Sequence, residues 1–188
     1  MIWNGIEVDV RNRPVADPGF IPLGLSMDAF VKDASRPVSV AVERENGNVS
    51  VFDTFLHEEE SYSAADLAYL ERIVKFLLWS RGGWRISICG DERAAKHIAA
   101  LYDASGKRAF DRHTMESIYE KPFEVRFLPL EETPRGAERT VPAGGFLDGC
   151  RIGIDVGGSS RKVCALIDGR IVYNVTEPWQ PLDHADPD

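Results

Sequence analysis

Three features of the sequence predict an α/β chain built in two pieces. An alternating hairpin pattern occupies Val38–Phe52, and an amphipathic helix over about 64–80 leads into a strand–Gly–helix unit. A set of short apolar strands then begins near residue 149. The expected division is an extended arm over 1–36, an accessory α/β unit over 37–128, a linker over 129–148, and a second piece over 149–188.

In chain order, Pro14, Pro18 and Pro22 break any long element in the arm, leaving room for one short turn of helix around Met27–Val31. The alternating Val38-Ser39-Val40-Ala41-Val42 and the run Val49-Ser50-Val51-Phe52 flank Asn46-Gly47. Asn-Gly favours a type I′ turn, because both central residues need positive φ. Ser63 and Asp66 form a capping-box-like start to the helix. Leu67, Leu70, Val74 and Leu77 then form one stripe, widened by Ala68, Ile73, Phe76 and Leu78. Gly82-Gly83 ends it. Trp84–Cys89 reads as a strand, and Gly90-Asp91 turns it into a helix over 92–102. A weaker helix over Asp111–Glu120 stops before Pro122, and Phe123–Leu128 reads as another strand. Prolines and glycines among charges, Pro129 to Gly145, give the linker its composition. Beyond it, Arg151–Asp155, Val163–Ile167 and Ile171–Val175 read as a three-strand meander, its second turn being Asp168-Gly169. Such a meander has free edges and one greasy face, so it needs a partner layer.

Composition narrows the function. The 188 residues carry a formal net charge of −8, and the pI is near 5.1. Nucleic-acid binding draws its affinity from cations on phosphates, so nucleic acid is not an expected partner. The sequence has no apolar run near the roughly 20 residues that cross a bilayer, and Met1–Val15 lacks a signal-peptide pattern. A cytoplasmic protein with no membrane partner is expected. Cys89, Cys150 and Cys164 show no metal-ligand spacing and read as reduced, mostly buried thiols.

The stretch that carries chemistry is IGIDVGGSSRKVCALIDGRIVY, Ile152 to Tyr173. Asp155 closes a strand, Gly157 and Gly158 follow, then the hydroxyls of Ser159 and Ser160, then Arg161 and Lys162. Glycines at positive φ let successive N–H groups form an anion-binding nest. The two serines add donors, Lys162 adds charge if it reaches the turn, and Asp155 would hold a hydrated Mg²⁺ beside the phosphates. Because the glycines precede a strand, this is neither a Walker A loop nor a G-x-G-x-x-G turn. The competing reading is a plain Gly-Gly hairpin with no ligand.

These residues resemble the first phosphate motif of the actin, sugar-kinase and Hsp70 superfamily, and in detail the opening of the ROK family of bacterial sugar kinases and repressors. The matching features are Gly153, Asp155, Gly157, Gly158, Ser159 and the Asp168-Gly169 hairpin. FLLWSRGGWRISI, RAFDRHTMESIYEKPF and LDGCRIGIDVG also resemble the N-terminal extension of longer ROK-like proteins. The resemblance implies that 149–188 begins an actin-like (ribonuclease H-like) ATPase domain and ends short of the whole domain. It also implies ATP with Mg²⁺, a sugar as acceptor, the remainder of a kinase-like domain as partner, and phosphoryl transfer to a sugar hydroxyl. Asp155, Gly157, Gly158, Ser159, Ser160 and Lys162 are the expected nucleotide site, with Asp155 at the metal. A homo-oligomer is compatible with this reading.

The departures matter. ROK kinases usually carry Lys straight after the Thr of the turn, where this chain has Ser160. No catalytic aspartate, second phosphate loop, adenosine loop or zinc cluster can be found after the motif, so the chain alone is expected not to turn over substrate. A non-catalytic sugar- or nucleotide-sensing protein that keeps the hairpin as structure is the alternative. Among the remaining residues, His57, His97, His113 and His184 read as surface or cap histidines, and Glu58-Glu59-Glu60 as a solvated loop. Arg81, Arg85, Arg93, Lys96, Lys107 and Arg108 form a locally basic stretch, either a solvated rim or an anion face. Trp79 and Trp84 read as core, with a sugar-stacking platform as the alternative. No basic recognition helix is present.

Overall fold

The computed structural model describes residues 1–140, 144–180 and 183. They form a mixed α/β chain of four helices and nine strands in three sheets. Two compact units are present, Met1–Arg139 and Thr140–Asp188. No helix among the described residues is long and apolar enough to cross a membrane.

The first unit is built on a four-stranded sheet. Its strands are β3 (Arg36–Glu43), β4 (Val49–Leu56), β5 (Arg85–Cys89) and β6 (Glu124–Leu128), in the order β4-β3-β5-β6. The β3 strand is antiparallel to β4 and β5, and β5 is parallel to β6. Helix α2 (Ser63–Arg81) links β4 to β5, and α3 (Glu92–Leu101) and α4 (Ala109–Tyr119) link β5 to β6. The β3–β4 turn is of the expected kind: Asn46 and Gly47 have φ of 57° and 70°, and Asn48 N–H donates to Glu45 O at 3.1 Å.

Alternation along β3 sends Val38, Val40 and Val42 to the same core as Ile86, Ile88 and Leu56. Leu70, Val74, Leu77 and Leu78 of α2 and Ala94, Ala95 and Ile98 of α3 close it. Each buried Val, Leu or Ile side chain among them contributes about 1.5–3 kcal/mol. The α2 stripe lies as expected at Leu70, Val74, Leu77 and Leu78. Phe76, expected to widen it, faces outward instead, and Tyr69 is buried in the core. Gly82, with φ of 75°, ends the helix, its N–H donating to Leu78 O at 2.9 Å.

Two boundaries differ from expectation. Residues 1–36 are not an extended arm. They form a two-strand hairpin, β1 (Ile2–Trp3) with β2 (Ile6–Glu7), and the short helix expected around Met27–Val31 is present as a longer, nine-residue helix, α1 (Leu23–Val31). Phe30 of α1 is fully buried and stacks on Tyr69 at 3.9 Å between ring centroids. The aromatic surface of Phe30 needs cover, and α2 supplies it.

The expected linker is likewise not free over its first part. After β6, one turn of 3₁₀ helix at Leu130–Glu132 leads to Ala137, which bridges Val49 on β4, the opposite edge of the sheet. The bridge is closed by Val49 N–H to Ala137 O at 2.8 Å and Ala137 N–H to Val49 O at 2.9 Å. This strap, clamped by Arg44 and Ser50 on Glu138, lies on the sheet face away from the helices. Its cover explains why Ser39, Ala41, Ser87 and Cys89 are buried there, and that burial pushes the Cys89 thiol pKa up. Pro142 of the expected linker lies outside the described residues.

The second unit is the expected meander. Strands β7 (Cys150–Val156), β8 (Ser160–Ile167) and β9 (Arg170–Pro178) pair antiparallel in that order. Asp168 and Gly169, with φ of 48° and 77°, make the β8–β9 turn. Ile152, Ile154 and Val156, on one face of β7, are exposed, and no other element of this unit covers them among the described residues; Cys150, expected with the other thiols to be mostly buried, is exposed too.

Candidate functional site

The six predicted residues are brought together in the β7–β8 hairpin. Gly157 N–H donates to Ser160 O at 2.9 Å, which closes the turn, and Trp179 N–H donates to Ser159 O at 2.9 Å, which ties the end of β9 beside it. Neither Gly157 nor Gly158 has positive φ, so the expected nest of alternating backbone conformations does not form. Gly157 is needed for space: a Cβ there would lie 3.1 Å from Ser160 O. Gly158 faces open space. Among the described residues, the N–H groups of Gly158 and Ser159 and the hydroxyls of Ser159 and Ser160 have no protein partner.

Both cations of the hairpin are engaged. Asp155 and Lys162 are register partners across β7 and β8, with Lys162 Nζ 2.9 Å from Asp155 Oδ2. Arg161 and Glu177 are partners across β8 and β9, at 2.7 Å, and the Arg161 guanidinium also lies 5.8 Å from the centre of the Trp179 ring. The free N–H and hydroxyl donors fit a phosphate group. Asp155 is not a free metal ligand as expected, because Lys162 neutralises it. No group of three or more His, Cys, Asp or Glu side chains among the described residues could hold a metal ion by itself.

The other sequence candidates do not assemble. Four of the six cations of the basic stretch are held in ion pairs, Arg85 with Glu43 and Glu124, Lys96 with Glu92, and Lys107 and Arg108 with Glu71, while Arg93 lies 4.0 Å from Glu60 and Arg81 is exposed. Trp79 stacks with Phe110 and donates to Asp111 at 3.0 Å. Trp84 instead lies under Arg85 and Lys121. The two indoles therefore have separate partners and form no common platform. His113 is exposed, as expected, and His184 lies outside the described residues.

His57 is the residue that sequence reasoning missed. It is buried, not a surface histidine, and its Nδ1 lies 2.8 Å from Asp66 Oδ1, which also accepts the His57 backbone N–H at 3.2 Å. Asp66 therefore does not complete a capping box. No side chain caps the start of α2, because the end of β4 delivers His57 to that carboxylate first. Asp66 Oδ2 faces Arg36, which reaches Asp91 Oδ2 at 2.6 Å. Asp91 in turn caps α3 by accepting from Ala94 N–H at 2.8 Å. This Asp91–Arg36–Asp66–His57 chain lines a cleft of about 390 Å³. His57, just before Glu58-Glu59-Glu60 and nine residues from Asp66, was the one available signal.

Compared with family models, curated proteins and solved structures, the chain has no match.

Proposed function

We propose that the Asp155–Lys162 hairpin binds the phosphates of ATP, and that residues 149–178 are the first strands of an actin-like nucleotide-binding domain in a ROK-type, sugar-kinase-like protein. The observation that carries this reading is a strand turn in which the N–H groups of Gly158 and Ser159 and two hydroxyls lack protein partners among the described residues, set beside an exposed Lys162–Asp155 pair. In it, Gly158 N–H, Ser159 N–H and the two hydroxyls donate to phosphate oxygens. Lys162 would pair with a phosphate oxygen, and Asp155 would hold a hydrated Mg²⁺. The Mg²⁺ supplies charge neutralisation of the phosphates. Sugar and nucleotide are the proposed ligands. No catalytic residue is assigned in this chain.

A second reading, a nucleotide- or sugar-sensing protein without phosphoryl transfer, is favoured by Ser160 at the position of the family's Lys and by the closed ion pair.

Calorimetric titration of the chain with ATP, with and without Mg²⁺, tests the site. Asp155→Ala and Gly158→Val are expected to weaken binding at least about tenfold, a loss of 1.4 kcal/mol. Equal binding by the variants would overturn the assignment. A sugar panel with ADP detection on the complete kinase-like protein separates the two readings, since turnover there would exclude a purely sensing role.

A further inference from the structure

We propose that the cleft at the carboxyl ends of β4 and β5 binds a small organic cation of the primary-amine class. The inference is independent of the phosphate-binding reading, because it concerns residues of the first unit alone.

The argument begins with His57. Its side chain is 5% exposed, enclosed by the edge-on Phe30 ring at 4.7 Å and the stacked Tyr62 ring at 4.2 Å. Nδ1 lies 2.8 Å from Asp66 Oδ1, and in the neutral ring that donates there the lone pair is left on Nε2. Nε2 has no hydrogen-bond partner among the described residues, while the ring lines both the 390 Å³ cleft and an adjoining hollow of about 330 Å³. A buried imidazole held at one nitrogen and unpaired at the other leaves an acceptor for a ligand donor.

The surroundings set the sign of that ligand. Carboxylates outnumber guanidinium groups by six to two in the cleft lining. Arg36 is spent on Asp91, and Arg93 lies 4.0 Å from Glu60. The N-terminus of α3, which would otherwise favour an anion, is already occupied by the Asp91 carboxylate. Glu58 and Glu59 line both hollows, and no ion pair engages either among the described residues. An ammonium group donates to Nε2 and to these carboxylates together. A phosphate or carboxylate ligand meets a lining in which negative charge predominates.

The probe is putrescine, added to the chain with ¹⁵N-labelled histidine at fixed pH and matched ionic strength. The His57 ring signal, assigned by its loss in His57→Gln, is expected to move saturably with putrescine and to stay still with inorganic phosphate. Glu58 and Glu59 are exposed, so the double variant Glu58→Gln/Glu59→Gln retains the fold. It should weaken binding at least about tenfold, since each nearby charge is worth about 1 kcal/mol at contact in water. A His57 signal unmoved by millimolar putrescine would overturn the proposal. So would a larger response to phosphate, or a double variant that binds as well as the parent chain.

Discussion

Lys162 Nζ and Asp155 Oδ2 meet at 2.9 Å across the β7–β8 ladder. This pair closes the hairpin's charge before any ligand arrives. A cross-strand pair of this kind is worth about 0.2–1 kcal/mol, and one this exposed lies at the low end. Asp155→Asn should therefore leave the urea midpoint of the second unit almost unchanged, within about 0.5 kcal/mol. Any loss of ATP affinity in that variant then reports a lost contact. A large drop in stability would show that the pair holds the hairpin together.

Phe30 is expected to behave as a core residue of the first unit. Its ring packs on Tyr69, on His57 and edge-on to Trp3. Phe30→Ala should cost about 3–5 kcal/mol in urea unfolding, the usual cost of deleting a buried aromatic ring. A loss below about 1 kcal/mol would mean that 1–36 is a detachable arm.

Gly82 is constrained twice. Its φ of 75° disfavours any side chain, and a Cβ there would overlap the Tyr119 hydroxyl, at 2.2 Å. Gly82→Ala should destabilise by about 1–3 kcal/mol. Adding Tyr119→Phe should recover the steric share and leave the backbone share, a coupling that a double-mutant cycle measures. Full additivity would show that Tyr119 moves aside at no cost.

Glu71 links stability to acid pH. Burial opposes its ionisation, but Lys107 and Arg108 outweigh burial and hold the carboxyl below its ordinary 4.5. Arg108 alone donates twice to Oε1, at 2.9 and 2.6 Å. A depressed folded-state pKa stabilises fully above 4.5, and that stability is lost as pH falls through the lower value. Glu71→Gln should be less stable than the parent chain at pH 7, with a gap that narrows below 4.5. A gap independent of pH would remove the ionic contribution.

The parts of this protein legible in the sequence are those fixed by near neighbours. Asn46-Gly47 and Asp168-Gly169 form turns because positive φ is a property of the residues themselves. The α2 stripe and the strands β5 to β9 follow from periodicity, and the β7–β8 turn from its glycines. Contacts between distant residues decided the rest. Ser63 and Asp66 carry a local capping signature, yet β4 brings His57 to Asp66 and a side-chain bond replaces the cap. Lys162 reads as a cation for a ligand until register places Asp155 opposite it. Phe30 looks like part of a proline-broken arm until α2 stacks Tyr69 on it, and 130–139 looks like linker until Ala137 pairs with Val49. Backbone preference acts over a few residues, so it can be read from the chain. Burial and ion pairing join groups far apart in sequence, so only the folded sheet and its helices settled which carboxylate each cation meets and which imidazole nitrogen is left open.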